Sequence, residues 1–188
     1  MRIVTGALRG RTIPSSRVLA SIRLTSSRLK EAVFSMLGAE LTGLSFLDLC
    51  AGSGQIGLEA ASRGARVVLN EPDHRRQAQL LRLIQDWRVE EVEVRREKAQ
   101  TLIPLLQDEG RIFEVVYLDP PYEATRHARP LSVELLEQLA AGTLIADDGL
   151  ALVQHQAELK PPAETGCLAL FERRPYGNTI LSIYRRQT

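Results

Sequence analysis

Four consecutive residues, Asp119-Pro120-Pro121-Tyr122, carry the most specific chemistry in this chain. Two adjacent prolines remove two backbone donors and fix φ, so the segment is stiff and its carbonyls can be aimed. Asp119 adds a carboxylate acceptor, and Tyr122 adds a flat face on which a heterocycle can stack. Two acceptors and an aromatic platform suit an exocyclic amino group on a nucleic-acid base. The lone pair of such an amine is delocalised into the ring and is a poor nucleophile. Holding both N–H groups turns that lone pair towards an electrophile, which is catalysis by orientation and electrostatics. Asp119 or water can accept the proton released as the new bond forms.

A second motif, Asp48-Leu49-Cys50-Ala51-Gly52-Ser53-Gly54-Gln55-Ile56-Gly57, falls between an apolar run and a helical pattern. Ligands of open α/β sheets bind outside the carboxyl ends of strands, where this loop belongs. Its glycines let backbone approach a ligand, and the following helix offers unpaired amides. Glu71 ends the next apolar run, where a carboxylate can accept from both hydroxyls of a ribose. Gly52, Gly54 and Gly57 satisfy G-x-G-x-x-G, the dinucleotide pattern. S-adenosylmethionine fits equally, since its ribose meets Glu71 and its cationic methionine end meets Asp48. The loop alone leaves that choice open; a hydride-transfer enzyme, however, has no use for Asp-Pro-Pro-Tyr. His74, His127 and His155 are scattered, and no metal site is expected.

The elements that must position these residues are legible as alternating patterns. Residues 2–13 read as a hairpin or extended arm around Gly6 and Gly10, and 14–24 as a loop. A helix is predicted at 26–38, capped by Ser26 or Ser27 and stopped by Gly38. Short apolar strands are predicted at 46–50, 66–70, 92–95, 115–118 and 150–153. Helices are predicted at 54–63, 74–88, 99–108 and 132–141, with Trp87 in the core and Pro104 opposing an unbroken third one. Two last strands, 167–172 and 179–185, flank Pro175-Tyr176-Gly177-Asn178 as an antiparallel hairpin. Strand–helix repeats with apolar strands imply an α/β, doubly wound parallel sheet covered on both faces.

Length and charge bound the partners. The chain has 188 residues, 44% of them hydrophobic, and no run long enough to span a bilayer. Its N-terminus lacks a signal peptide's apolar stretch. Cys50 and Cys167 make no disulfide framework, so a reduced, cytoplasmic protein is expected. Net charge is +1, but the first thirty residues hold Arg2, Arg9, Arg11, Arg17, Arg23, Arg28 and Lys30 and no acid. The remainder holds 17 basic and 23 acidic residues. Such asymmetry fits either a polyanion partner or a merely solvated arm. Residues 1–38 are expected to form a basic extension on a domain spanning 39–188.

Asp119–Tyr122 resembles the Asn/Asp-Pro-Pro-Tyr/Phe motif of methyltransferases that act on amino groups of adenine, cytosine or guanine. More narrowly, the chain resembles the bacterial RsmD-like family, which methylates guanine N2 in small-subunit (16S) ribosomal RNA. The likeness covers Arg2-Ile3-Val4-Thr5-Gly6 with Arg9-Gly10-Arg11, then Arg23, Thr25, the Arg28–Leu37 segment, Asp48–Gly64, Glu71, Asp119–Tyr122 and the closing Arg173–Arg186 strands. It implies a class I methyltransferase (Rossmann-like) fold with a mixed seven-stranded sheet and S-adenosyl-L-methionine as cofactor. The residues it implies at the cofactor are Asp48, Cys50, Ala51, Gly52, Ser53, Gly54, Gln55, Glu71, Pro72, Lys98 and Ala99. Asp119, Pro120, Pro121 and Tyr122 would hold the guanine, which must leave its stack to reach them. Arg2, Arg9, Arg11, Arg23, Thr25 and Arg28 are the candidates for RNA contact.

The sequence departs from that family twice. Leu24 stands where the family has proline. Lys98 stands where the family commonly has an Asp facing the cofactor's adenine amine, and lysine offers no acceptor. Three readings therefore remain: a ribosomal RNA guanine-N2 methyltransferase, an adenine-N6 methyltransferase on DNA or RNA, and a non-catalytic RNA-binding protein with a decayed cofactor site. The partner is expected to be ribosomal RNA or an assembling small subunit, with no membrane, and a monomer suffices.

Overall fold

A computed structural model describes residues 1–14, 18–19, 25–121 and 129–187. They fall into two compact units, Met1–Lys98 and Ala99–Thr188. In the first, a basic arm leads into α1 (Ser27–Leu37), then β1 (Ser45–Asp48), α2 (Gln55–Ser62), β2 (Arg66–Asn70), α3 (His74–Trp87) and β3 (Val92–Arg95). The caps follow from chemistry at each end of α1. Ser26 accepts the Leu29 amide, and Gly38 at φ 107° stops the helix in a conformation that favours glycine. β2 lies between β1 and β3, parallel to both, so Asp48, Asn70 and Arg95 end at one edge. Gly57 lets α2 pack closely on that sheet. A Cβ there would stand 2.1 Å from Leu69 Cδ2.

The arm closes on itself and on α2. Arg2 and Thr12 form an antiparallel bridge, and the Ile3 amide donates to the Arg11 carbonyl at 2.9 Å. Ile3, Leu8 and Ile13 are buried beneath it. The carboxylate of Glu59 on α2, itself wholly buried, accepts the Val4 and Thr5 amides at 2.9 and 3.0 Å. It also pairs with Lys30 of α1 at 3.1 Å and Arg63 at 3.0 Å. Burial pushes this carboxyl up, but the Val4 amide, Lys30 and Arg63 together hold it below the ordinary carboxylate range. Lys30 is thus a buried structural cation, one fewer than the seven counted for a polyanion. Gly6 is needed where the arm meets α2, since a Cβ would lie 1.7 Å from the Ser62 carbonyl oxygen.

The second unit holds α4 (Ala99–Asp108), β4 (Phe113–Leu118), α5 (Leu131–Ala140), β5 (Ile145–Gln156), β6 (Glu164–Thr165), β7 (Leu168–Tyr176) and β8 (Thr179–Arg186). β4 and β5 are parallel; β8 returns antiparallel to β5 and pairs with β7. Five differences from the sequence expectations have local causes. Pro104 lies inside a continuous α4, whose Leu102, Ile103 and Leu106 are buried. Packing overrides the lost backbone bond there. β5 begins at Ile145, earlier than the apolar run, because Asp148 adopts φ 63° and the chain resumes pairing after Gly149. The two-residue β6 brings the strands among the described residues to eight instead of seven. The final turn is only Gly177-Asn178, between paired Tyr176 and Thr179. Trp87 is half-buried, not core, and carries the Arg11 guanidinium 5.9 Å from its ring centroid.

Candidate active site

In the first unit, the predicted cofactor residues gather where β1 and β2 end. Asp48 is buried at the end of β1, and its Oδ2 accepts the Gly57 amide at 3.0 Å, fixing the first turn of α2. The Ala51 amide donates to the Asn70 carbonyl at 2.8 Å, and the Gly54 amide to the Ala51 carbonyl at 2.7 Å. Gly52 and Gly54 have φ of 54° and 78°, so the loop turns in a region that favours glycine. Gly54 caps α2 without a side-chain bond, and Asp48 instead takes the Gly57 amide of its first turn. Ser53 is buried and its Oγ donates to Met1 Sδ at 3.8 Å; Cys50 is half-buried. Gln55 Nε2 donates to the Thr25 carbonyl at 2.7 Å, tying the loop to the segment before α1.

Glu71 is buried at 3% exposure. Its Oε1 accepts the Asp73 amide at 2.8 Å and pairs with Arg76 at 2.9 Å. Both of these partners meet Oε1. The Arg76 amide, then its charge, holds the Asp73 carboxyl below its ordinary range. Asp73 thereby caps α3 and sets the turn that presents Glu71. Pro72 is exposed. A buried acid, held by Asp73 and Arg76, beside a loop of left-handed glycines fits an adenosyl cofactor.

One buried polar residue at this edge escaped the sequence reading. Asn70 is fully buried at the end of β2. Its Nδ2 donates to the Leu49 carbonyl at 3.1 Å and to the Glu97 carbonyl at 3.0 Å. Its Oδ1 accepts the Glu97 amide at 3.2 Å. A single amide side chain therefore ties the loops after β1 and β3 to β2. A lone Asn closing an apolar strand was the available signal, since a buried amide must find partners. Glu97 Oε2 accepts the neighbouring Arg96 amide at 2.9 Å, and the Lys98 side chain is exposed.

In the second unit, Asp119 and Pro120 follow β4 at its carboxyl end, half-buried and buried respectively, and Pro121 is exposed. Ala99 is buried at the start of α4. Tyr122 lies outside the described residues, as does Arg23. Of the other RNA candidates, Arg2, Arg9, Arg11 and Arg28 are exposed and Thr25 is half-buried.

Parallel strands joined by helices, a glycine loop at their carboxyl edge and a closing antiparallel pair define a class I methyltransferase fold. The chain belongs to the family described as Conserved hypothetical protein 95, the RsmD-like family, whose model matches residues 1–185. It is 28% identical to the Ribosomal RNA small subunit methyltransferase D of Escherichia coli K12, over all of this chain and 90% of that one. Among solved structures it resembles the Escherichia coli candidate methyltransferase yhhF, with a TM-score of 0.81 and 25% identity, covering 100% of this chain and 98% of that one. A hypothetical protein of Thermus thermophilus gives a TM-score of 0.80 and 30% identity, covering 97% of this chain and 98% of that one.

Proposed function

We propose that this protein methylates the exocyclic N2 of a guanine in small-subunit ribosomal RNA, using S-adenosyl-L-methionine. The observation that carries the reading is Asp119-Pro120-Pro121 at the carboxyl end of β4. Asp119 and the Pro120 carbonyl accept the two N–H groups of the amine, and Tyr122 stacks the base. The bound cofactor supplies a methyl group on a sulfonium, which leaves as a neutral thioether. As the N–CH3 bond forms, one amine proton passes to Asp119 or to water. Glu71 holds the ribose, and the Gly52–Gln55 loop receives the methionine end. Lys98 offers no acceptor for the adenine amine, so the backbone around Glu97, held by Asn70, reads that edge.

Residues 1–38 serve as the RNA-contacting extension, with the exposed Arg2, Arg9, Arg11 and Arg28 on phosphates. The name of the Escherichia coli relative supports ribosomal RNA as the substrate. The test is incubation with labelled cofactor and small-subunit particles, naked ribosomal RNA or DNA, followed by nucleoside analysis. N2-methylguanosine from ribosomal RNA is expected. N6-methyladenosine without N2-methylguanosine would move the substrate to adenine. Failure to bind millimolar cofactor in calorimetry would leave only a non-catalytic RNA-binding protein.

A further inference from the structure

The closing hairpin carries an exposed aromatic that packing does not explain. Phe171 is 56% exposed. The β7–β8 register passes from Leu170↔Tyr184 to Glu172↔Ile183, so Phe171 is the extra residue of a bulge. Bulges re-aim side chains, and this one turns a phenyl ring to solvent. The Arg185 guanidinium lies 3.7 Å from the ring centroid. The same register puts Arg185, Glu172, Arg174 and Tyr176 on one face of the hairpin. Arg174 pairs with Glu172 at 2.7 Å in a half-buried contact.

Charge indicates what this face receives. Residues 99–188 hold 8 Arg and Lys against 12 Asp and Glu, a net −4. Within them, residues 168–187 hold four arginines and one glutamate, a net +3. Of these, Arg174 and Arg185 lie on the face of the exposed ring, whereas Arg173 and Arg186 lie on the other, donating to the Pro161, Gly142 and Ile145 carbonyls. The stripe also has a direction. Leu118 aligns with Val153, Val153 with Ser182, and Ser182 with Arg173. Asp119 is therefore level with Arg174, three strands away, or about 14 Å at ordinary strand spacing.

We propose that the Phe171–Arg185 platform, with Arg174 and Tyr176, binds the unpaired RNA strand flanking the target nucleotide. An unpaired base stacks on Phe171 while the arginines meet its phosphates, a combination that tolerates any base. This rests on RNA being the substrate, as proposed above, and assigns it a second contact besides the N-terminal arm.

The test uses the full chain and a short, labelled, single-stranded RNA of mixed sequence, read by fluorescence anisotropy. Phe171→Ala should weaken binding about tenfold, and Phe171→Tyr should restore it. Arg185→Ala should reduce the slope of log affinity against log salt by about 0.7. In methylation assays Phe171→Ala should raise KM for RNA while kcat, cofactor affinity and melting temperature hold. Unchanged affinity of Phe171→Ala for single-stranded RNA would overturn the proposal. So would intact RNA binding with lost particle binding, which would make the face a protein contact. If the parent protein methylates no nucleic acid yet binds RNA through Phe171, the catalytic reading fails and this one stands.

Discussion

Asp119 concentrates the proposed chemistry in one carboxylate, and its substitutions separate binding from turnover. Asp119→Ala removes an acceptor aimed at the amine in the transition state. Such a group is worth roughly 100- to 1,000-fold in rate. Calorimetry should find cofactor affinity unchanged while single-turnover methylation falls by that amount. Asp119→Asn keeps a carbonyl acceptor but loses the base, so it should retain more activity than the alanine variant. Full turnover in Asp119→Ala would remove the residue from catalysis. Asn70 makes the opposite prediction. Its three hydrogen bonds are all to backbone and hold two loops. Asn70→Ala should cost about 2–3 kcal/mol of stability, at about 1 kcal/mol per bond. It should raise the KM for cofactor with little change in kcat. A fall in kcat at unchanged cofactor KM would assign Asn70 a different role.

At the scale of elements, α2 binds the first unit together through Glu59. Removing one partner of a buried ion pair leaves an uncompensated charge, which costs about 3–5 kcal/mol. Glu59→Ala strands Lys30 and two amides of the arm, so denaturant unfolding should report a loss of that size. A loss below about 1 kcal/mol would show that the arm repacks without it. Local patterns made most elements legible. β2 and β3 have the ends that their apolar runs predict, and Ser26 and Gly38 bracket α1 as their cap chemistry requires. The ties between elements were not legible. Glu59 reaches amides 54 and 55 residues away, and Asn70 spans 21 and 27 residues. No periodicity encodes contacts at such separations. The bulge at Phe171 escaped for a related reason: it is defined by the partner strand, not by its own neighbours. The Asp-Pro-Pro-Tyr and glycine motifs were legible because contiguous residues carry their chemistry.

At the scale of the whole molecule, the two units should respond to acid in sequence. In the second unit, His155 of β5 is buried and pairs with Ile180 of β8. Its ring nitrogens lie 2.8 Å from the Gln156 carbonyl and 2.8 Å from Ser182 Oγ. Burial, with repulsion from Arg173, lowers its pKa although the Gln156 carbonyl acts the other way. The folded chain therefore resists a proton that the unfolded chain accepts. Stability contributed by His155 is present above the ordinary histidine range and is lost as pH falls towards the lowered folded value. In the first unit, Glu59 is also lowered, but from the carboxylate range. Its contribution persists at mildly acidic pH and is lost only as pH falls through its lowered value. Hydrogen exchange, corrected for intrinsic rates, should thus find amides of β5 and β8 losing protection at a higher pH than those of α2. His155→Gln should abolish the first loss and leave the second in place. Simultaneous loss of protection in both units would mean that neither group governs the acid response.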